Sequence, residues 1–147
     1  MTEYEKALDY MKKAAERGSK LGLSRIEELL SLIGNPQDKI KIIHVSGTNG
    51  KGSFCAMLCS VLKNSGYKVG SFSSPAITKV NDSFRINCDE ISDEEFASLI
   101  NDIAPICESM DDKPTEFEVL TAAAFELFFR SNCDIAVVEC GMGGDLD

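Results

Sequence analysis

A glycine-rich segment with one lysine and one serine contains the residue types that bind the phosphates of a nucleotide. It reads Gly47-Thr48-Asn49-Gly50-Lys51-Gly52-Ser53. Gly47 and Gly50 allow the backbone to turn with positive φ, so successive N–H groups can point at one anion. Lys51 adds a positive charge for the outer phosphates, and the hydroxyl of Ser53 can reach a Mg²⁺ ion. This segment therefore predicts a binding site for ATP and Mg²⁺.

The residues on either side of this segment place it between a strand and a helix. Ile40–Ile43 is a β-branched run that predicts a buried strand, and a helical apolar pattern follows the segment. A phosphate bound at such a turn lies at the positive end of the following helix. The alternative is a glycine-rich turn with a solvent-exposed lysine, and the strand and helix around it argue against that alternative.

Two further predicted strands bring polar residues to the same edge of the sheet. We predict a second strand over residues 67–74, ending before Pro75, and a third, continuously apolar strand over residues 134–140. Their carboxyl ends carry Ser73, Ser74 and Glu139. Ligands of open α/β sheets bind at this edge, and hydroxyls with one carboxylate suit Mg²⁺. Pairing of Glu139 with a lysine is the alternative role for that carboxylate.

The helices have recognisable starts and stops. We predict a first helix over residues 3–17, stopped by Gly18, and a second from Ser24, capped by a Ser24/Glu27 box and ended by Gly34 and Pro36. The helix after the glycine-rich segment ends at Gly66. Its predicted buried face consists of Phe54, Met57, Leu58, Val61 and Leu62.

The second half of the chain adds a hairpin and two more helices. Residues 75–90 predict a long loop with a short hairpin around residues 83–87. Capping boxes at Ser92/Glu95 and Thr115/Glu118 begin the two helices, and Pro105 is expected to kink the first or end it early. Strand, helix and strand around the glycine-rich segment predict a right-handed βαβ unit and an α/β fold with a mostly parallel sheet.

Composition narrows the class of protein. The 147 residues are 44% hydrophobic, enough for one domain, and the net charge of −9 argues against a nucleic-acid partner. No stretch is long enough to span a membrane, so we expect a cytoplasmic protein with no membrane partner. We expect the six cysteines to be reduced, mostly buried residues, and the protein to be a monomer. His44, the only histidine, is expected to have a supporting role in the core.

The glycine-rich segment departs from the common phosphate loop G-x-x-x-x-G-K-[ST] at two positions. Val45 stands where that pattern has its first glycine, and Gly52 stands where it has the hydroxyl. In this form the segment resembles the ATP loop of the Mur-ligase superfamily. Together with Leu-Ile-Gly-Asn-Pro-Gln at residues 32–37, it resembles the folate branch, the folylpolyglutamate synthase/dihydrofolate synthase family.

Further motifs of that family are similar to segments along the chain. Ser74-Pro75 with Asn81-Asp82 resembles the loop that reads S-P-H and then N-E-R-I in many members. Residues 115–118 resemble T-x-F-E, and residues 138–147 resemble V-E-x-G-x-G-G-R-x-D. The resemblance implies that Ser74 and Glu139 bind Mg²⁺. The chain departs from the family at Ala76, at Asp82-Ser83-Phe84 and at Asp145. The first two departures weaken the transfer of substrate-contact roles to this loop, although Arg85 could supply a displaced guanidinium.

The resemblance also implies an architecture and an activity. It implies a three-layer P-loop domain, with residues 1–147 as the N-terminal part of a Mur-ligase-type ATP-binding domain whose partner C-terminal domain is absent from this chain. It implies an ATP-dependent ligase in which a carboxylate of folate or dihydropteroate becomes an acyl phosphate that L-glutamate attacks. Lys51 would stabilise the transferring phosphoryl group. The fragment by itself is expected to be inactive.

Two other functions remain open at the level of sequence. A small-molecule kinase is one, since some nucleotide kinases carry a G-K-G-[ST] ending. Such kinases keep the glycine at the position of Val45 and need an arginine-rich lid, whereas this chain has Arg17, Arg25, Arg85 and Arg130. The other is a nucleotide-binding fragment without catalysis.

Overall fold

The computed structural model describes residues 1–45, 51–73 and 79–139, with only the backbone described at positions 51 and 52. The five helices are α1 (Glu3–Ala15), α2 (Ser24–Leu32), α3 (Lys51–Asn64), α4 (Asp93–Ser109) and α5 (Glu116–Arg130). The five strands are β1 (Lys41–Val45), β2 (Val69–Ser73), β3 (Phe84–Ile86), β4 (Asp89–Glu90) and β5 (Ile135–Glu139). Short 3₁₀ helices span Pro36–Lys39 and Val80–Ser83.

These elements form two compact units. The helical unit consists of Met1–Pro36 and Ser92–Leu127, and the sheet unit consists of Gln37–Ile91 and the described residues from Phe128 onwards. Helix α5 therefore contributes its first part to the helical unit and its last residues to the sheet unit. The glycine-rich segment connects two elements of the sheet unit.

The five strands form one sheet in the order β1-β5-β2-β3-β4. Strands β1 and β2 are both parallel to β5, which lies between them, and the β3–β4 hairpin is antiparallel to β2. Strand β5 is buried along its middle, as expected for an apolar interior strand. The predicted α/β class, with three parallel main strands, and the predicted hairpin are confirmed.

Helices cover both faces of this sheet. Cys59 of α3 and Val69 of β2 belong to one hydrophobic cluster on the first face. Gly70 faces the other way, because successive residues of a strand point to opposite faces. A Cβ atom at Gly70 would collide with the ring of Phe128, near the end of α5. The predicted three-layer arrangement is therefore confirmed.

The buried face of α3 differs from the predicted one. Phe54, Met57 and Val61 are 49%, 61% and 55% exposed. The helix instead buries Cys55 and Cys59, with the half-buried Leu58 and Leu62 beside them. These four residues also have helical spacing, so α3 carries two overlapping apolar stripes, and contact with β2 and β5 selects the one that contains the cysteines.

The prediction that the first strand is buried is wrong for β1. It forms an edge of the sheet, paired only with β5 in the described part of the chain, and its residues are exposed or half-buried. Ile42 is 38% exposed, and His44 is exposed rather than part of the core. A β-branched run identifies a strand but does not determine whether it is central.

Two predicted helix boundaries in the helical unit also differ. The predicted Ser24/Glu27 capping box is wrong, because α2 already includes Ser24 and has Leu23 as its N-cap without a side-chain hydrogen bond. The backbone N–H of Glu27 donates instead to the Leu23 carbonyl oxygen. Pro105 lies inside α4, which continues past it to Ser109 and so does not end early. Ile103 and Cys107, on either side of the proline, are both buried.

Other stop and start signals are confirmed. Gly18 and Gly66 follow α1 and α3 with φ of 69° and 96°, in the left-handed region. The Ser92 hydroxyl accepts from the Glu95 N–H at the start of α4. Within the described residues, no helix has both the length and the apolar character needed to cross a lipid bilayer.

Candidate functional site

The carboxyl ends of the three parallel strands lie side by side. In the strand register, Glu139 is paired with Val45 on one side and with Ser73 on the other. Each of these residues is the last of its strand. Adjacent strands of a sheet are about 4.8 Å apart. The three strands therefore end in one row, as the sequence predicts, and the structure adds that the half-buried Glu139 lies in the middle of it.

The glycine-rich segment begins at one end of this row. Strand β1 ends at Val45, and α3 begins at Lys51. The predicted strand before the segment and the predicted helix after it are therefore confirmed. Ser53 lies in the first turn of α3 and is exposed. The N–H groups of a first helical turn have no partner within the helix, which favours binding of an anion there.

Several predicted site residues lie outside the described residues. These are Gly47, Thr48, Asn49, Gly50 and Ser74, together with the side chain of Lys51 and the segment after Glu139. Their roles stay predictions. Four described residues border these segments. Val45 and Ser53 flank the glycine-rich segment, Ser73 directly precedes Ser74, and Glu139 precedes the last segment.

The donor chemistry at the strand ends fits magnesium. The predicted ligands are the hydroxyls of Ser53 and Ser74 and the carboxylate of Glu139, all of them oxygen donors, which Mg²⁺ prefers. No ion pair among the described side chains involves Glu139, so its alternative role as a lysine partner finds no support there. Among the same residues no group of three or more His, Cys, Asp or Glu side chains could hold a metal. A Mg²⁺ ion bound here would therefore depend on phosphate oxygens and water for its remaining ligands.

Arg85 has a structural role in the hairpin rather than a free guanidinium. It lies opposite Ser71 of β2, and its Nη1 donates to the backbone carbonyl of Cys88 at 3.3 Å. Asn81, which matches the family's asparagine, is fully buried, and its Nδ2 donates to the Ile91 carbonyl at 3.2 Å. Residues 81–91 are thus held together by hydrogen bonds that the sequence did not reveal.

The segment that resembles T-x-F-E forms a buried polar network in the helical unit. The Thr115 N–H donates to Glu118 Oε1 at 2.9 Å, and the Glu118 N–H donates to Thr115 Oγ1 at 3.2 Å, which is the predicted capping box. The Glu118 carboxylate also accepts from Arg25 Nε at 3.1 Å. Arg25 is buried, and it was missed at the level of sequence although it is adjacent to the buried Ile26 on the apolar stripe of α2.

Known proteins share this architecture. The chain is 40% identical over 151 residues to the dihydrofolate synthase/folylpolyglutamate synthase of Bacillus subtilis. This alignment covers 99% of this chain and 35% of that protein. The crystal structure of folylpolyglutamate synthase from Thermotoga maritima matches with a TM-score of 0.89 and 41% identity, over 98% of this chain and 34% of that one. A complex of a folylpolyglutamate synthase with AMPPCP and folate matches with a TM-score of 0.86 and 35% identity, over 98% of this chain and 36% of that one.

No protein-family model matches the chain. The chain spans about a third of the length of each of the proteins named above. The similarity nevertheless extends through every helix and strand of the described structure.

Proposed function

Because the chain belongs to the folylpolyglutamate synthase/dihydrofolate synthase family, we propose that it is part of an ATP-dependent ligase that adds L-glutamate to a folate or dihydropteroate carboxylate. The observation that carries this proposal is the row of strand ends at Val45, Glu139 and Ser73, with a glycine-rich segment leading from the first of them into a helix. A relative of the same fold has been solved with AMPPCP, a triphosphate analogue, and folate.

The chain's own residues have distinct tasks in this reaction. The N–H groups of residues 47–53 would hold the triphosphate, and Lys51 would stabilise the negative charge that develops on the transferring phosphoryl group. Ser53, Ser74 and Glu139 would hold the Mg²⁺ ion. When bound, that ion would supply positive charge that neutralises the phosphate oxygens. The resulting acyl phosphate loses phosphate when the amine of L-glutamate attacks its carbonyl carbon.

The length of the match sets what this chain contributes. We propose that residues 1–147 are the N-terminal portion of the ATP-binding domain, and that a C-terminal domain completes the sites for ATP and glutamate. The chain alone is then inactive as a ligase. A cytoplasmic monomer with ATP, folate and L-glutamate as its ligands fits this proposal.

The proposal is tested by assaying the full-length protein for ADP release that requires both L-glutamate and a folate or dihydropteroate acceptor. We expect Lys51→Ala to reduce the turnover by at least about 100-fold, as loss of a group that stabilises developing charge does. Lys63→Ala, at the exposed other end of α3, is the matched control and should leave turnover unchanged. Equal turnover in the two variants would reject the role of Lys51.

The same assay separates the ligase from a small-molecule kinase. A kinase would release ADP with an acceptor but without L-glutamate. Three of this chain's arginines have partners in the structure: Arg17 is paired with Glu108, Arg25 with Glu118, and Arg85 donates to the Cys88 carbonyl. Release of ADP that does not depend on glutamate would overturn the ligase proposal.

A further inference from the structure

The turn between β3 and β4 has an unusual residue at its second position. Ile86 and Asp89 are paired across the hairpin, so Asn87 and Cys88 form a two-residue loop. Their φ values are 51° and 73°, both in the left-handed region that a type I′ turn requires. Glycine is the preferred residue at the second position of such a turn, because a Cβ atom makes this backbone conformation unfavourable. The backbone conformation at this position therefore does not explain why the residue is a cysteine.

The side chain of Cys88 packs against a hydrophobic cluster that includes two other cysteines. This cluster contains Cys55 and Cys59 of α3, with Val69 and Val137 of the sheet. Cys55 and Cys59 are buried, at 7% and 4% exposure, whereas Cys88 is only half-buried. One thiol of the cluster thus reaches solvent while the others lie behind it.

The electrostatic surroundings identify Cys59 as the closer neighbour of Cys88. Burial raises the pKa of the Cys59 thiol, a hydrogen bond with Ser71 lowers it, and the charge of Cys88 raises it further. The guanidinium of Arg85, which donates to the carbonyl of Cys88, has the opposite effect on the pKa of Cys59. The two thiols are therefore near enough to influence each other electrostatically.

We propose that Cys88 and Cys59 form an oxidation-sensitive pair that a hydroperoxide converts into a disulfide. The sulfur of Cys88 attacks the peroxide, the O–O bond breaks, and a sulfenic acid and one molecule of water form when the peroxide is hydrogen peroxide. The thiol of Cys59 then attacks the Cys88 sulfur, the S–S bond forms and the hydroxyl leaves as a second water. The two thiols lose two electrons and two protons, and the peroxide takes up both.

This disulfide would connect α3 to the β3–β4 hairpin. Cys59 lies on α3, whose first residue is Lys51, and Cys88 lies at the tip of the hairpin that pairs with β2. Oxidation would fix the helix that follows the glycine-rich segment to the hairpin that follows β2. The proposal does not depend on the ligase activity, because it rests on the thiols and the turn alone.

The test uses the full-length protein treated with hydrogen peroxide and mapped by mass spectrometry without reduction. We expect a cross-linked peptide pair that joins residue 59 to residue 88, lighter by two hydrogens than its components and lost on treatment with dithiothreitol. Absence of that pair, or linkage of Cys88 to another cysteine in its place, would overturn the proposal.

Three variants make the assignment specific. Cys88→Gly suits the turn better than cysteine does, so it should fold and should yield no cross-link. Cys59→Ser should also yield none, and its Cys88 should accumulate as sulfenic acid. Cys55→Ser, one helical turn away in the same cluster, is the matched control and should retain the cross-link. Loss of the cross-link in Cys55→Ser, with retention in Cys59→Ser, would show that Cys55 is the partner of Cys88 and would refute the proposal.

Discussion

Gly70 occupies a position in β2 at which no side chain can fit. A Cβ atom there would overlap three atoms of the Phe128 ring, and both residues are buried. We predict that Gly70→Ala destabilises the protein by about 2 kcal/mol, because an overpacked core must shift its ring or its backbone. The measurement is the free energy of unfolding from urea titration followed by circular dichroism.

A second substitution tests the cause of this loss. Phe128→Leu removes the ring that the new methyl group would meet, so the double variant Gly70→Ala/Phe128→Leu should be more stable than the sum of the single effects predicts. Additive losses would show that the methyl group acts on something other than Phe128. This coupling distinguishes a steric effect from an effect on the unfolded chain.

At the scale of elements, one buried ion pair connects α2 to α5. Arg25 and Glu118 are both buried, and Glu118 also caps α5. We predict that Arg25→Leu lowers the free energy of unfolding by about 3 kcal/mol, because it leaves a buried carboxylate without its cation. Lys6→Leu removes an exposed cation paired with Glu3 and should cost under about 0.5 kcal/mol. Similar losses of stability in both variants would contradict the larger effect expected for the buried pair.

A second link joins α1 to α4 and depends on pH. Hydrogen bonds from Lys13, and then from Tyr10 and Arg17, lower the pKa of the Glu108 carboxyl to about 2 against the opposing effect of burial. Its folded pKa lies below the unfolded value near 4.5, so its stabilisation is fully present above pH 4.5 and is lost as the pH falls towards 2.

We therefore predict that Glu108→Gln weakens the dependence of the free energy of unfolding on pH in this acidic range. Between pH 5 and pH 2 the unchanged protein should lose roughly 1 kcal/mol more than the variant, a modest amount because Lys13 is exposed and solvent screens the pair. Thermal melts across this pH range give the measurement. Glu94→Gln, at an exposed position of the same helix, is the control and should follow the unchanged protein.

The local signals in the sequence predict most elements, because they act within a few residues. Capping at Ser92 and Thr115, the stops at Gly18 and Gly66, and the hairpin all follow from side chains close to the backbone they satisfy. Apart from the Ser24/Glu27 capping box, the main failures are non-local. Sequence spacing alone could not choose between the two apolar stripes of α3, since the choice depends on which stripe meets β2 and β5.

The candidate site was predictable in its chemistry more than in its arrangement. The residue types of the predicted strands identified Glu139 and Ser73 as strand-end groups. These two residues lie side by side because their strands are parallel. That β5 would lie between β1 and β2 could not be derived, because a predicted strand–helix–strand unit does not say whether its two strands are neighbours. Arg25 was missed because a buried arginine is recognisable only when its carboxylate partner is known.

At the scale of the whole molecule, nucleotide binding should raise stability by mass action. We predict that MgATP at about 100 times its dissociation constant stabilises the full-length protein by about 2.7 kcal/mol, and that chelation of Mg²⁺ removes most of this gain. Glu139→Gln should lose the Mg²⁺-dependent part while keeping its melting temperature without ligand. Differential scanning calorimetry measures both, and a Glu139→Gln protein with the full Mg²⁺-dependent gain would exclude this carboxylate from the metal site.

The position of β5 determines when the sheet can assemble during synthesis. Strands β1 and β2 each pair with β5 along their length, yet β5 is the last of these five strands to leave the ribosome. Until it emerges, the two earlier strands have no parallel partner in the described chain, and the row of strand ends cannot form. The long stretch of chain that must close before this pairing raises the contact order, which slows folding. The edge that carries the candidate site therefore forms later than it would in a sheet whose neighbouring strands are consecutive in the chain.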